Sequence, residues 1–220
     1  MKTVKSSDVV IKNLLALIIK GVVKPGDKLP STEHLANEMG TSVISAREAV
    51  QSLAAVGLVE IRHGRGLFMT QGRPVIEELL EARKVIESYN AMMAARNIDS
   101  KGLESIERLL RQMDKEMEAG DIDSFSELDY EFHLALGKVA GNRILLKTLE
   151  NIKDLLRYQQ SVINQLPHII RSSTKRHRGI FIAIKKGDPE SAGAIMTKHI
   201  AEVIASWKKN VVVLPAKKEL

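Results

Sequence analysis

The sequence predicts a mostly α-helical protein made of an N-terminal winged helix-turn-helix and an all-α antiparallel helical bundle. Residues 25–69 carry two helical patterns followed by two strand patterns, which is the element order of a winged helix-turn-helix. Beyond Pro74, strand-like alternation nearly vanishes and helical periodicity recurs. Because residues 71–74 (Gln-Gly-Arg-Pro) interrupt both patterns, we predict one domain at residues 1–72 and a second at residues 73–220.

The composition of the 220-residue chain bounds its chemistry. Hydrophobic residues make up 44% of the chain, which is enough for packed cores, and only 4% of the residues are aromatic, so the cores depend on aliphatic side chains. The absence of cysteine excludes disulfides and thiolate metal sites and is typical of a reducing cytoplasm, where we expect the protein to work. No run approaches the roughly 18 apolar residues of a membrane span, so no membrane partner is expected.

The net charge of +6 is unevenly distributed along the chain. Residues 1–73 hold ten Lys and Arg against six Asp and Glu, whereas the remaining residues hold 23 against 21. The excess positive charge of the N-terminal third favours a polyanionic partner such as nucleic acid.

The N-terminal part begins with an apolar run that Lys12 and Asn13 interrupt, so we interpret it as an amphipathic helix rather than a signal peptide. Ser7 or Asp8 is the predicted cap of this helix. Its inner face is predicted to carry Val10, Leu14, Leu17 and Ile18.

The helix-turn-helix follows from local capping signals. Ser31 is the predicted cap of the first helix, Glu33 lies in its first turn, and Gly40 ends it. Thr41 and Ser42 offer the next cap, so the second helix is expected to start at about Ser42. Its apolar positions recur at helical spacing until Gly57, at Ala46, Ala49, Val50, Leu53 and Val56.

The wing is a predicted β-hairpin with a basic tip. Strand formers at residues 58–61 and 67–69 flank residues 62–66 (Arg-His-Gly-Arg-Gly), whose glycines permit a tight reversal. Such a module places its second helix in the DNA major groove and its basic groups on phosphates. The residues that we predict to contact DNA are Ser31, Thr41, Ser42, Ser45, Arg47, His63 and Arg65.

Arg47 is the strongest candidate for a base contact, because its guanidinium can pair bidentately with guanine O6 and N7. The alternative is that Arg47 pairs with a nearby carboxylate on a solvated helix face. The basic wing tip favours the DNA interpretation.

These residues resemble the N-terminal DNA-binding domain of GntR-family transcriptional regulators. The matching positions are Leu29-Pro30-Ser31, Leu35-Ala36, Ser42, Arg47-Glu48-Ala49, Gly57-Leu58-Val59 and Gly64-Arg65-Gly66. The resemblance implies two arginines that touch DNA in relatives, and this chain has Glu33 and Val43 in their places. We therefore expect DNA binding to an unusual operator.

The C-terminal part is predicted to contain about six helices, separated by polar, glycine or proline breaks. Asn142 is the predicted cap after Gly141, and Asp188 followed by Pro189 marks another helix start. No function is assigned to residues 211–215. The predicted helical segments are 75–97, 100–119, 124–140, 142–166, 168–186 and 189–209.

Four side chains that can bind metals stand on otherwise apolar helix faces. Asp129 and His133 are one turn apart on the same face, and His177 and His199 each lie on an apolar face of their own helix. A single histidine of this kind is usually a satisfied core residue. Four such groups directed into one interior favour coordination of a divalent metal ion, with zinc as the first expectation and nickel, manganese or iron as alternatives.

The open coordination positions of such an ion would accept water or a carboxylate. Arg83 and Arg157 are candidates to contact an anionic effector, but Arg83 and Glu87, one turn apart, are also expected to form an ordinary surface pair.

The second part resembles the FCD effector domain of the FadR-like subfamily. The residues that carry this resemblance are Asp129, Phe132-His133, Gly141-Asn142, His177, Gly187-Asp188, Ala192 and His199. In metal-binding relatives the four predicted ligands hold the cation and a small organic acid completes its coordination. The intact set argues against the branch that binds fatty acyl-CoA.

The sequence is thus interpreted as a homodimeric, DNA-binding transcriptional regulator, not an enzyme, that binds a double-stranded operator and responds to a metal-bound carboxylate effector. One alternative is a metal-dependent hydrolase on a helical bundle, although the sequence has no HExxH motif or His-Asp dipeptide and no obvious general base. Another is a structural dimerisation module in which the histidines are merely packed.

Overall fold

A computed structural model describes residues 6–19, 22–24, 26–55, 57–70 and 72–210. The chain forms two compact units, with the division between Glu78 and Leu79, a few residues beyond the break at residues 71–74. None of the helices in the described part of the chain combines the length and the apolar character that a membrane span requires.

The first unit has the element order of a winged helix-turn-helix. Its elements are α1 (Ser6–Ile19), β1 (Lys28–Leu29), α2 (Thr32–Glu38), α3 (Val43–Ala55), β2 (Val59–Arg62) and β3 (Gly66–Met69). The three strands form an antiparallel sheet with β3 in the centre, where Phe68 is opposite both Lys28 and Glu60. The predicted hairpin is confirmed, whereas the two-residue strand β1 has no recognisable pattern in the sequence.

The capping predictions for α2 and α3 are confirmed. Ser31 Oγ accepts a hydrogen bond from the His34 amide at 3.2 Å, and Ser42 Oγ accepts one from the Ser45 amide at 3.0 Å. Gly40 adopts a left-handed φ of 61°, which suits glycine and ends the run of α2. Of the two candidate caps of α3, Ser42 and not Thr41 makes the bond.

The core of the first unit confirms Val10 and Leu14 on the inner face of α1 and the described inner positions of α3, whereas Leu17 is only half-buried. Ser7 and Asp8 lie within α1 and so are not its cap. Val56, residue 71, residues 211–215 and the side chain of Ile18 lie outside what the structure describes. The buried apolar side chains include Val10, Ile11, Leu14, Leu35, Ala36, Ala46, Ala49, Val50, Leu53, Leu58, Val59, Leu67 and Met69.

The second unit is all-helical and contains seven helices in its described residues, one more than predicted. They are α4 (Gly72–Asn97, which begins in the first unit), α5 (Ser100–Ala119), α6 (Ile122–Ala140), α7 (Arg143–Asn151), α8 (Lys153–Ile163), α9 (Pro167–Lys185) and α10 (Pro189–Asn210). The predicted helix over residues 142–166 is wrong, because Ile152 leaves helical geometry at φ −100° and ψ 13°. No glycine or proline marks this break.

Local signals start and end several of these helices as predicted. Asn142 Oδ1 accepts hydrogen bonds from the Ile144 and Leu145 amides at 3.1 Å, and Asp188 Oδ1 accepts one from the Ser191 amide at 3.0 Å. The helix α6 packs against α5, α7 and α8, and α9 packs against α5 and α10. Their shared core surrounds the polar groups described next.

Candidate metal centre and nucleic-acid interface

Three buried histidines meet inside the second unit. His133 comes from α6, His177 from α9 and His199 from α10, and one ring nitrogen of each lies within 4.8 Å of the others. His177 Nε2 and His199 Nε2 are 3.2 Å apart. Three imidazoles at this spacing are a set of donors that suits a divalent transition metal.

Asp129 completes the cluster from the same face of α6. Its Oδ1 atom lies 3.5 Å from His133 Nε2 and 3.4 Å from His177 Nε2. Its Oδ2 atom accepts a hydrogen bond from Asn164 Nδ2 at 3.3 Å, which fixes the carboxylate. The structure therefore brings together all four residues that the sequence singled out as metal ligands.

Several polar atoms of this cluster are buried without a hydrogen-bond partner among the described residues. They include Asp129 Oδ1, His133 Nε2 and His177 Nδ1. Burying unpaired polar atoms is costly, and coordination of a cation would satisfy the first two. The donor set thus fits a metal ion, which His133, His177, His199 and Asp129 could hold.

Arg83 and Glu87 form the predicted ion pair, but the predicted surface location is wrong, because the pair is buried beside the histidines. Each side chain is only 2% exposed. Arg83 Nε donates to Glu87 Oε1 at 2.7 Å, and Arg83 Nη1 donates to Gln159 Oε1 at 2.7 Å. Glu87 Oε2 in turn lies 2.6 Å from His133 Nδ1. The chain of contacts runs from Gln159 through Arg83 and Glu87 to His133.

Sequence reasoning missed Glu87 as a site residue. A signal existed, since Arg83 and Glu87 occupy the same stripe of α4 as buried Ile76, Leu80, Ala91 and Ala94. Charged residues at such spacing are usually solvated. Arg83 and Glu87 are buried because α6 and α8 pack over this face, where they supply His133 and Gln159.

The electrostatics of His177, His199 and Asp129 favour the protonation states that bind metals. Burial, reinforced by the other imidazoles and Arg83, holds the pKa of His177 and of His199 well below the ordinary value, so both rings are neutral at pH 7. Burial opposes ionisation of Asp129, but His133 and His177 lower the pKa of its carboxyl. Neutral imidazoles and an ionised carboxylate are what a divalent ion requires.

Glu87 and Asp129 make His133 the most readily protonated of the three histidines, and a metal ion would take the place of the proton on its Nε2 atom. Burial would raise the pKa of Glu87, but Arg83 and then His133 hold it far below its usual range. Burial would lower the pKa of His133, yet Glu87 and Asp129 raise it. Glu87 therefore stays ionised and contacts His133 Nδ1, while the other ring nitrogen, Nε2, lies near Asp129.

A small cavity adjoins the cluster. Gln160 Oε1, on its wall, and Gln159 Nε2, close by on α8, are buried without hydrogen-bond partners among the described residues. The predicted effector residue Arg83 lines this cavity. Arg157 does not, since it lies over the Tyr130 ring at 4.8 Å and pairs with Glu127 at 3.0 Å. The lining side chains are Arg83, Glu87, Tyr130, His133, Leu134, Leu149, Leu156 and Gln160.

The residues singled out for DNA contact have different environments. Arg47 on α3 is exposed, as are His63 and Arg65 at the tip of the wing. The wing also fixes Arg62, which pairs with Glu60 at 2.8 Å and stacks 4.4 Å from the centroid of Phe68.

The remaining DNA candidates are three serines that make local hydrogen bonds and one threonine whose hydroxyl is buried. Ser42 Oγ donates to Ser45 Oγ at 2.9 Å while it caps α3, and Ser45 is half-buried. Ser31 is exposed and caps α2, and Thr41 Oγ1 is buried without a hydrogen-bond partner among the described residues. The three serine hydroxyls therefore already take part in hydrogen bonds at the helix starts.

Comparison with known proteins identifies both units. The FCD domain matches residues 78–202, and the family of bacterial regulatory proteins named gntR matches residues 6–69. The chain therefore belongs to the GntR family of transcriptional regulators, with a DNA-binding helix-turn-helix domain and an FCD domain. The predicted family and fold class are confirmed.

Individual relatives agree with this assignment. The transcriptional regulator LutR of Bacillus subtilis is 29% identical over 212 residues, covering 85% of this chain and 94% of that protein. The putative L-lactate dehydrogenase operon regulatory protein of Escherichia coli is 28% identical, covering 92% of this chain and 86% of that protein.

Two solved structures extend the likeness to the fold. Streptococcus agalactiae GntR has a TM-score of 0.53 at 27% identity and covers 91% of this chain and 99% of its own. Escherichia coli McbR/YncC has a TM-score of 0.69 at 21% identity, and the match covers 94% of this chain and 99% of that chain. The family assignment makes this chain a transcriptional regulator, and this interpretation replaces the hydrolase alternative.

Proposed function

We propose that this regulator holds a divalent metal ion in its FCD domain through Asp129, His133, His177 and His199, and that a small carboxylate effector completes the coordination. The observation that carries the proposal is the convergence of these four buried groups from three helices, with Asp129 Oδ1 and His133 Nε2 lacking hydrogen-bond partners. Zinc is the first expectation, and nickel, manganese or iron also suit imidazole ligands. The set also supports placement in the FadR-like subfamily.

The charge of the site favours an anionic effector. The two positive charges of a divalent ion and that of Arg83 outnumber the negative charges of Glu87 and Asp129. Arg83 lines the cavity next to His133, and the unpartnered amide oxygen of Gln160 lies on the same wall. An anion that reaches the ion can take further hydrogen bonds from the guanidinium of Arg83. Arg157 is a weaker candidate because it is engaged with Tyr130 and Glu127.

The effector would act on DNA binding through the helix that joins the units. The helix α4 follows the wing along the chain and carries both Arg83 and Glu87. An effector that binds one arrangement of these side chains better than another shifts the equilibrium between them. We infer a cytoplasmic homodimer that binds a palindromic double-stranded operator, through the predicted DNA-contact residues of α2, α3 and the wing tip.

Metal analysis of untagged protein tests the metal claim. We expect about one ion per chain after dialysis, as in other buried sites with three or four protein ligands. His177→Ala should lose the ion, and His168→Ala, an exposed histidine of the same helix, is the matched control that should keep it. Wild-type protein without stoichiometric metal would overturn the proposal and favour a structural dimerisation module with packed histidines.

Calorimetric titration with acetate, citrate and L-lactate tests the effector claim; L-lactate is included because of the name of one relative. Binding by metal-loaded wild-type protein should shift its affinity for the operator, and His177→Ala should abolish both effects while circular dichroism shows an intact helical fold. Asp129→Asn should also abolish both effects. Because it keeps the side-chain shape, its loss of response would not be due to a folding defect. An unchanged response in both variants would contradict the sensing claim.

A further inference from the structure

Two apolar side chains are exposed at the first turn of α3. Val43 is 37% exposed and Ile44 is 70% exposed. The apolar residues further along the same helix are buried in the core, at Ala46, Ala49, Val50 and Leu53. Packing within this unit therefore does not explain the isoleucine at position 44.

The exposed pair lies on the face of α3 that is turned away from the core. Arg47 and Glu48, both exposed, follow Val43 and Ile44 by one turn, and Gln51 follows Ile44 by two turns. In a helix-turn-helix the N-terminal residues of the second helix meet base edges in the major groove. Val43 and Ile44 thus stand at the reading end of this helix, beside the guanidinium of Arg47.

The serine hydroxyls at the start of α3 are engaged with the helix and with each other. Ser42 Oγ caps the helix by accepting from the Ser45 amide, and the Ser42 and Ser45 hydroxyls bond to each other at 2.9 Å. The side chains that project freely at this turn are those of Val43 and Ile44. A helix start of this composition suits an apolar feature of the groove better than a hydrogen-bonding one.

The major-groove edges of the bases offer one apolar group, the C5-methyl of thymine. An exposed isoleucine placed against a polar edge would strip water from donors or acceptors without replacing the lost hydrogen bonds. Placed against a thymine methyl, it buries apolar surface on both partners.

We propose that Ile44, assisted by Val43, reads thymine C5-methyl groups in the operator, while Arg47 supplies the polar contact one turn further on. The partner is double-stranded DNA, and the recognised feature is an A·T pair presenting its methyl group to the start of α3. This assignment concerns the winged unit and does not depend on the metal or on the effector.

Deoxyuridine substitution tests the proposal, because uracil differs from thymine only by the missing methyl. The operator is first selected from a random duplex pool with the full-length protein at near-physiological salt. Each thymine of the enriched half-site is then replaced by deoxyuridine, and Kd is measured by fluorescence anisotropy. At one or two positions we expect about fourfold weaker binding, as for the loss of one buried methyl group.

The same substitutions in variants identify the side chain responsible. In Ile44→Ala, and to a smaller extent in Val43→Ala, the uracil penalty at those positions should vanish. Ile182→Ala, which removes a comparably exposed isoleucine (52%) from α9, should keep the wild-type penalty. Replacing the sensitive thymine by cytosine should weaken binding, and 5-methylcytosine should recover part of the loss.

Three results would overturn the proposal. One is an enriched half-site in which every uracil substitution is neutral. Another is a uracil penalty that stays unchanged in both Ile44→Ala and Val43→Ala. The third is selection that enriches no sequence, which would mean that the start of α3 does not read base edges.

Discussion

Glu87 Oε2 lies 2.6 Å from His133 Nδ1, and both side chains are buried. The same carboxylate accepts hydrogen bonds from Arg83 through both of its oxygens, at 2.7 and 3.2 Å. The contact directs His133 Nε2 toward Asp129, 3.5 Å away. A carboxylate that orients a histidine in this way is typical of the groups that support metal ligands.

Glu87→Gln should therefore weaken metal binding without removing a ligand. We expect a 10- to 100-fold loss of metal affinity, of the order found for such supporting groups, measured by competition with a chelator. It should also destabilise the protein by about 3–5 kcal/mol, because Arg83 is left as an uncompensated buried charge. Glu118→Gln on α5 is an exposed control that should change neither value. Metal affinity equal to that of the wild type would contradict the orienting role.

The burial of Arg83 and Glu87 shows where the sequence was insufficient. The helix starts at Ser31, Asn142 and Asp188 were predictable because a cap is a local hydrogen bond. The ligand faces were predictable because apolar stripes point to a core. The Arg83–Glu87 contact was predictable from its spacing, but its burial depends on which helices cover α4. The break at Ile152 has no local signal, so the burial and the break both required the tertiary structure.

The contacts of Glu202 on α10 with Arg176 and Ser172 on α9 should make the stability of the protein depend on pH. Glu202 accepts from Ser172 Oγ at 3.0 Å and pairs with Arg176, and these hydrogen bonds, Arg176 first, hold its pKa below the ordinary value despite partial burial. A carboxyl with a lowered folded-state pKa stabilises above its unfolded pKa and loses this effect as the pH falls through the folded value.

Glu202→Gln should accordingly lower the free energy of unfolding at pH 7 by about 0.5–1 kcal/mol, a small value because the pair is partly solvated. Below the folded pKa of Glu202 the difference from the wild type should disappear. Urea unfolding over a pH series from 7 downward measures both effects, with Glu118→Gln as reference. A difference that does not shrink as the pH falls would contradict the assignment to ionisation.

Glu33 places a negative charge beside the predicted DNA-contact face, at a position where the family resemblance leads us to expect an arginine. Backbone and side-chain hydrogen bonds at the start of α2, with a weaker contribution from Arg47, lower its pKa, so it is ionised at neutral pH. Glu33→Gln should bind DNA more tightly at low salt, by roughly threefold to tenfold, and the gain should shrink as salt screens the charge. Anisotropy titrations at two salt concentrations measure this, and equal or weaker binding would show that Glu33 makes a favourable contact instead.

Arg47 and Arg65 should differ in what they contribute to DNA binding, because one lies on α3 and the other at the tip of the wing. Arg47→Ala is expected to cost about 1–3 kcal/mol on the selected operator and to relax the preference at one base pair, as for a bidentate guanine contact. Arg65→Ala should weaken binding to all sequences alike and reduce the salt-dependence slope by about one, as for a phosphate contact. Affinities for the operator and for a scrambled duplex across a salt series separate the two effects. If Arg47→Ala weakened both duplexes equally, Arg47 would be a phosphate contact, and the selection of bases would rest on the apolar start of α3.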